Sequence, residues 1–431
     1  MPISRDVRRR AAAEPDRPAL VGRSGTVGYG ELAARAERRA ETLAASGVAA
    51  GHAVVCADPD PADLLAAVVA ADLLEAAAVV ADADWPDAVR EPAAASARAL
   101  VDRHGTAVSL VVFTSGSTGT PRPVARTRRS WTFSFPTFSA LTGVGAQDTV
   151  LVPGRLSGSL FLYGALHALT VGAAVHALPS WSPADAARAC ESCTAVHLVP
   201  SMLTELLDRL GPSAGRLRTV VCGGAHLDPG VRAKAAAAGM EVVDYYGAAE
   251  LSFVAIRRPG LPPDRLRPFP EVDVDVRDGV IWARGPYLAL GLDRDPDGFA
   301  TVGDHGVRHD DGTLSVHGRG DAAITTGGAT VLAEAVEHVL RQVPGVAEVA
   351  CVGTPHERLG QVVAAVVEPR PGCAPTLAEL RAAAAVGLAA TDRPRLWYAV
   401  DRLPRTPGGK VPRAEVHAGL RDGSLGARVL T

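Results

Sequence analysis

A chain of 431 residues, 47% of them hydrophobic, is too long for one ordinary core, which favours a large domain joined to a smaller one. With a formal net charge of −3 and no long run of one sign, charge gives no reason to expect nucleic-acid binding. The short arginine clusters at Arg8, Arg9 and Arg10 and at Arg126, Arg128 and Arg129 are expected on a solvated surface.

The first residues carry no apolar signal-peptide core, and Asp72 and Glu75 interrupt the apolar stretch 64–80. Neither a leader nor a membrane helix is expected, and a reducing cytoplasm is the expected setting. Helical periodicity begins at Tyr29 and runs to Ser46, where Gly47 and Gly51 break it. A short β run at 53–57 follows, then an alanine-rich helix over 62–77 with Asp60 or Asp63 near its start, then a strand at 78–80. The strand 109–113 enters a loop rich in Gly, Ser and Thr. Beyond it come strands at 149–152, 174–178, 195–198, 219–222 and 241–244, with helices at 160–169 and 229–238. Short strands with Gly/Asp turns fill 272–316. A boundary at 318–321 precedes a self-contained segment: helix 333–342, strands 346–353 and 361–367, helix 377–390 and strand 396–400. The expected fold is α/β: a large N-terminal domain of layered sheets and helices, 1–320, with a small C-terminal α+β domain, 321–431.

Cys190 and Cys193 form the one close pair among six cysteines, and no second pair follows at zinc-site spacing. They are read as two thiols near a helix end. His167, His197 and His226 are read as structural. Of 44 basic residues only two are lysines, Lys234 and Lys410. This points to a coding bias towards GC-rich codons, and suggests that a surviving lysine stands where arginine would not serve. Lys234, in an alanine-rich helix, is read as surface.

The strongest chemical signal is Thr114-Ser115-Gly116-Ser117-Thr118-Gly119-Thr120-Pro121. Glycines let a loop turn tightly enough for amide N–H groups to face a phosphate, and the hydroxyls add short donors. The loop follows a strongly apolar strand, the expected place for a phosphate loop, yet no Gly-Lys-Ser/Thr closes it, which disfavours a kinase.

This loop resembles the phosphate loop of the adenylate-forming superfamily, which includes acyl-CoA synthetases, free-standing adenylation domains and luciferases. Further segments match in the same order. Gly223-Gly224-Ala225 resembles the adenine-lining segment. Tyr245-Tyr246-Gly247-Ala248-Ala249-Glu250 resembles Tyr-Gly-x-Thr-Glu. Val302-Gly303-Asp304 resembles Thr-Gly-Asp, and Gly318-Arg319-Gly320-Asp321 resembles the hinge motif. The stretch from Pro404 to Arg413 resembles the C-terminal loop Pro-x-Thr-x-x-Gly-Lys-x-x-Arg.

The resemblance implies ATP-dependent activation of a carboxylic acid as acyl-AMP, then transfer to the thiol of coenzyme A. Thr114, Ser115, Gly116, Ser117, Thr118, Gly119, Gly223, Gly224, Ala225, Tyr246 and Gly247 would bind ATP. Glu250 would ligate Mg²⁺, a hard cation that bridges phosphates. Asp304 would accept the ribose hydroxyls, and Arg319 would pair with ribose or phosphate oxygens through its planar fork. Lys410 would stabilise charge on the α-phosphate, where a compact ammonium fits between two oxyanions. Asp321 would mark a swivel that presents either the Lys410 loop or the opposite face, with Gly327-Gly328, to the site.

The sequence departs from the family pattern in several places. Pro-Lys-Gly is replaced by Pro121-Arg122-Pro123, the motif threonines by Ala249 and Val302, and the phosphate loop arrives early. These changes bear on rate more than fold. The acid pocket is expected within 153–254. The absence of an acidic residue from Gly154 to Thr170 argues against an α-amino acid, whose ammonium would need a partner. The apolar 251–254 suits an aliphatic or aryl acid. A ligase that loads a carrier-protein phosphopantetheine is the alternative acceptor reading. A degenerate, non-catalytic nucleotide-binding protein is the alternative of another class, opposed by the intact Glu250, Asp304 and Lys410.

Overall fold

The computed structural model describes residues 3–22, 25–115, 121–211, 214–224, 227–257, 260–319, 323–326, 329–356, 359–388, 392–406 and 409–431. The chain forms two compact units, Met1–Val274 with Trp282–Thr301, and Asp275–Ile281 with Val302–Thr431. The sequence reading places a boundary at 320/321, and the compact units change after Thr301.

In chain order the elements are α1 (Ile3–Ala13), β1 (Pro18–Gly22), β2 (Gly25–Gly28), α2 (Tyr29–Ala45), β3 (Ala53–Cys56), α3 (Pro61–Leu73), β4 (Ala77–Val80) and α4 (Asp87–His104). Then come β5 (Leu110–Ser115), β6 (Pro121–Arg126), α5 (Arg128–Thr132), α6 (Phe135–Thr142), β7 (Thr149–Val152), α7 (Ser159–Val171), β8 (Ala174–Ala177), α8 (Pro183–Ala189) and β9 (Ala195–Leu198). The sequence continues with α9 (Pro200–Leu210), β10 (Thr219–Gly223), α10 (Pro229–Ala237), β11 (Glu241–Ala248), β12 (Ser252–Ile256), β13 (Arg267–Pro268), β14 (Asp273–Arg277) and β15 (Val280–Arg284). The remaining elements are β16 (Asp304–Arg308), β17 (Leu314–Arg319), β18 (Ala323–Thr326), β19 (Ala329–Leu332), α11 (Ala333–Arg341), β20 (Val346–His356), β21 (Gly360–Pro369), α12 (Leu377–Gly387), β22 (Leu396–Ala399), α13 (Arg413–Asp422) and β23 (Arg428–Val429).

Local chemistry explains the site-bearing elements of the first unit. Asp60 caps α3 by accepting from the amides of Ala62 and Asp63, at 2.8 and 3.2 Å. The helix is apolar on nearly every face and is buried accordingly, from Leu64 to Ala71. β4 is buried at all four positions, as a central parallel strand should be. The sheet β3-β4-β5-β6 is parallel except for β6, an antiparallel edge strand. That edge accommodates Pro121 and Pro123, which would break a ladder in the sheet interior. The larger sheet runs β13-β12-β11-β10-β9-β7-β8-β1-β2, parallel from β11 to β1 and antiparallel at its margins.

In the second unit, β20 and β21 form a long antiparallel pair from Val346↔Pro369 to His356↔Gly360. Alternation sorts their side chains. Val349 and Cys351 pack with Val336 and Leu340 of α11 and Leu380 of α12, while Ala350 and Val352 pack with Leu403 and Val416. The sheet is thus covered on both faces, by α11 and α12 on one and by α13 and the chain leading to it on the other.

Candidate functional site

Strand β5, which leads into the loop expected to bind phosphate, ends in Thr114 and Ser115, which pair with Arg122 and Pro121 of β6. Gly116, Ser117, Thr118 and Gly119 between them lie outside the described residues. The strand leaving the loop reaches Arg126, and for this residue the structure corrects the expectation of a solvated arginine, while Arg129 is exposed as expected. Arg126 is fully buried. Its guanidinium donates to the carbonyls of Ala249 at 2.6 Å, Ser130 at 2.7 Å and Tyr287 at 2.5 Å, and to Ser130 Oγ at 3.2 Å. It also lies 5.4 Å from the centre of the Trp131 ring. Burial pushes its pKa down to about 10, with the Glu250 charge opposing the shift, so it is charged at neutral pH. Arg128 pairs with Asp72 at 2.8 Å, and Arg129 lies over the Phe133 ring. Of the three, Arg126 alone is internal, drawn in because carbonyls at the junction between the two sheets need donors; Arg128 is half-buried and Arg129 exposed.

That junction is the point where two of the expected segments meet. The Leu290 amide donates to the Ala125 carbonyl and the Ala289 amide to the Glu250 carbonyl, at 2.9 and 2.8 Å. Arg126 and segment 287–290 together fasten the turn carrying Ala249 and Glu250 to the strand that leaves the phosphate loop. Glu250 is half-buried there. The turn sits in the tight β11–β12 hairpin, whose register shifts between Tyr246 and Gly247. A side chain at Gly247 would collide with the carbonyl of Ser252, so that position requires glycine.

Gly223 ends β10 opposite Tyr245 of β11. A Cβ on Gly223 would lie 2.5 Å from the Tyr245 ring, so its absence lets that ring pack on the backbone. Gly224 follows with φ of +91°, and Tyr246 is half-buried on β11. Gly223, Gly224, Tyr246 and Gly247 thus lie together past the carboxyl ends of parallel strands, where open α/β sheets place ligands. Ala225 and His226 lie outside the described residues.

The region expected to hold the acid is rich in rings. Phe138, Tyr163, His167, His197 and Phe253 pack at centroid distances of 4.9 to 6.2 Å, and Phe269 extends the group. Burial lowers the His167 pKa to about 4 and that of His197 to about 3, so both are neutral near pH 7. His167 Nε2 lies 2.8 Å from Ser139 Oγ, and Gly164 lies against the His197 ring. These two histidines are structural, as the sequence indicates. No acidic residue lies within 154–170, but the fold brings Asp82 to that segment from the end of β4. It accepts from Arg155 at 2.8 Å and Ser157 at 2.9 Å. Arg155 matches its charge, so it is not an unpaired carboxylate awaiting an ammonium.

The other expected residues belong to the second unit. Asp304 begins β16 just after Gly303, is buried, and pairs through its backbone with Arg319 of β17. Asp321 lies outside the described residues, as do Gly327 and Gly328. Lys410 is exposed, at the end of a turn in which the Thr406 amide donates to the Lys410 carbonyl at 2.8 Å. Lys234 is surface, paired with Asp208 at 2.7 Å. Cys190 and Cys193 are free and buried after α8, with burial pushing both thiols up to about 12. No described helix is long and apolar enough to cross a membrane.

The comparisons bear on family and fold. A family model described as AMP-binding enzyme matches residues 7–101 and 89–292, and one described as AMP-binding enzyme C-terminal domain matches 335–410. The chain is 33% identical over 331 residues to an uncharacterized acyl-CoA ligase, YhfT, of Bacillus subtilis, spanning 72% of this chain and 68% of that one. It is 30% identical over 390 residues to a salicylyl-CoA synthase/salicylate adenylyltransferase of Streptomyces sp., spanning 81% and 70%. The crystal structure of ATP-bound MatB from Rhodopseudomonas palustris superposes with a TM-score of 0.85 at 21% identity, covering 97% of this chain and 99% of that one, a likeness of fold. The chain belongs to the AMP-binding enzyme family and is an adenylate-forming acid–thiol ligase.

Proposed function

We propose that this enzyme activates an aryl carboxylic acid with ATP and transfers the acyl group to coenzyme A. The observation that carries the reading is the fastening of the Glu250 turn to the strand leaving the phosphate loop, through Arg126 and segment 287–290. A nucleotide triphosphate needs both parts near each other. A carboxylate oxygen of the acid attacks the α-phosphorus, pyrophosphate leaves, and acyl-AMP forms. A thiolate then attacks the acyl carbon and AMP leaves with the bonding electrons.

In this reading the phosphate loop, Gly223, Gly224, Ala225, Tyr246 and Gly247 bind ATP. Asp304 and Arg319 hold the ribose and phosphate oxygens. Lys410 stabilises the charge that builds on the α-phosphate. Glu250 is a single half-buried carboxylate, which suits Mg²⁺, an ion bound in such sites by one or two carboxylates plus phosphate oxygens and waters. When bound, magnesium offsets phosphate charge. Asp321 is the hinge between the catalytic domain 1–320 and a swivelling domain 321–431. The salicylyl-CoA relative supports an aryl acid, and the apolar 251–254 segment suits one. The charge-matched Asp82 speaks against an amino acid. Free cysteines fit a cytoplasmic location.

The test is ATP–pyrophosphate exchange over a panel of aryl, fatty and amino acids, repeated with Lys410→Ala. Exchange with an aryl acid, lost in the variant, is expected. Mass detection of the acyl-CoA after adding coenzyme A, with a phosphopantetheinylated carrier protein in parallel, identifies the acceptor. Magnesium-ATP binding without exchange for any acid would overturn the reading in favour of a non-catalytic nucleotide binder.

A further inference from the structure

The Lys410 turn is held at both ends by carboxylates that the motif does not contain. On its upstream side Glu368 of β21 accepts the Leu403 amide at 2.8 Å and lies 3.3 and 3.4 Å from the Arg405 guanidinium. On its downstream side Arg413, the first residue of α13, reaches into α11. It donates to Glu337 at 2.7 and 3.0 Å and to Glu334 at 3.4 Å. The Glu337 side chain is only 3% exposed and also accepts the Cys351 amide from β20, at 2.8 Å. Within the turn, the Gly409 amide donates to the Thr406 carbonyl at 2.8 Å, and the Lys410 amide to Thr406 Oγ1 at 3.2 Å.

A buried carboxylate is costly unless it is matched by donors, and a forked arginine fixes direction as well as distance. Packing alone would be served by apolar residues at these places. Glu337 is such a carboxylate, and Glu368 is partly buried with a weaker arginine contact; together they bracket ten residues, 404–413, with Lys410 between them. We propose that Glu368 and Glu337 are positioning residues that clamp the two ends of the Lys410 turn and so hold its ammonium ready for the adenylation step. This rests on the reading of Lys410 given above.

The chain offers a direct reporter. Lysine-specific endoprotease can cut only after Lys234 and Lys410, the two lysines present. Native enzyme, Glu368→Ala, Glu337→Gln and Lys410→Ala are compared. The rate of cleavage after Lys410 is measured against cleavage after Lys234 as the internal control. Both clamp variants are expected to raise the Lys410 rate several-fold over that control. Two half-reactions are then followed with the acid that supports exchange: pyrophosphate release in a single turnover, and thioester formation from supplied acyl-AMP and coenzyme A. Misplacing a catalytic group by about 1 Å costs up to about a hundredfold, so Glu368→Ala is expected to slow adenylation by tenfold or more. Thioester formation stays within about twofold of native, because Lys410 serves only the first step. Adding Glu368→Ala to Lys410→Ala produces no further slowing.

Unchanged Lys410 cleavage in both clamp variants, or an equal loss in both half-reactions, would overturn the clamp. If Lys410→Ala itself leaves adenylation intact, the lysine reading fails and takes the clamp with it. If Lys410→Ala abolishes adenylation while both clamp variants run at the native rate, only the clamp fails.

Discussion

Replacing Arg126 with methionine tests the claim that a buried guanidinium ties the phosphate-loop strand to the Glu250 turn. Methionine keeps the length of the apolar stem but removes every donor. The carbonyls of Ala249, Ser130 and Tyr287 are then left without it. A hydrogen bond from a charged group contributes about 1.5–3 kcal/mol, so three are worth roughly 5–9 kcal/mol gross. The variant also relieves the desolvation of a buried charge, several kcal/mol in the other direction. The expected net loss is about 3 kcal/mol, read in the urea transition of the larger unit. Lysine, a point charge that cannot serve three diverging carbonyls, should recover less than half of it. The Km for magnesium-ATP should rise in the methionine variant, because the Glu250 turn loses its tie. A methionine variant within about 0.5 kcal/mol of native, the usual range for a surface substitution, would refute the reasoning.

Three further outcomes follow from the same geometry. His167 and His197 bind protons more readily unfolded, near pH 6.5, than folded, at about 4 and about 3, so stability is full above pH 6.5 and falls as pH drops towards those values. Each contributes up to about 1.4 kcal/mol of loss per pH unit in that window, and a His197→Gln variant should show a shallower decline in melting temperature between pH 6.5 and 5. Gly247→Ala drives a methyl group into a backbone carbonyl and should destabilise the β11–β12 hairpin by about 1–3 kcal/mol, visible as faster amide hydrogen exchange at Tyr246 and Phe253. Lys410→Arg keeps the charge but not its compactness, and should retain less than about a tenth of the native adenylation rate while leaving the melting temperature unchanged.

Much of the fold is legible because its central elements obey simple patterns. α2, α3, α7 and the parallel strands announce themselves by period, by apolar runs and by the Asp60 cap. The amphipathic α9 is legible by its period although the sequence reading omits it, but other missed elements have weaker signals for identifiable reasons. α1 is built around three consecutive arginines and buries only Ile3, Ser4, Asp6 and Val7. α4 carries Pro92 and packs through alanines and a single valine, which give little contrast between faces. β6 holds two prolines and reads as loop, yet it is an edge strand where prolines are tolerated.

The site divides in the same way. The resemblance of the motifs names the residues that would touch ATP, and only the Gly/Ser/Thr loop also points to phosphate by its own chemistry. Neither reveals what holds them. Arg126 sits in the sequence among other arginines, and only the junction of two sheets makes it internal. Glu337 and Glu368 stand 73 and 42 positions before Lys410, in segments whose own pattern is that of an amphipathic helix and a sheet strand. Their importance comes from the strand and helix neighbours that bring Arg413 and Leu403 to them. Contact residues answer to the chemistry of the ligand, whereas supporting residues answer to the packing of one chain. The first kind can be read from the motifs and the second only from the fold. The losses of Thr at 249 and 302 therefore do not decide whether the chain is a working enzyme. The supports answer to stability instead: Arg126, Glu337 and Arg413 are charges that each find a partner, and removing one partner would leave the other uncompensated in the interior.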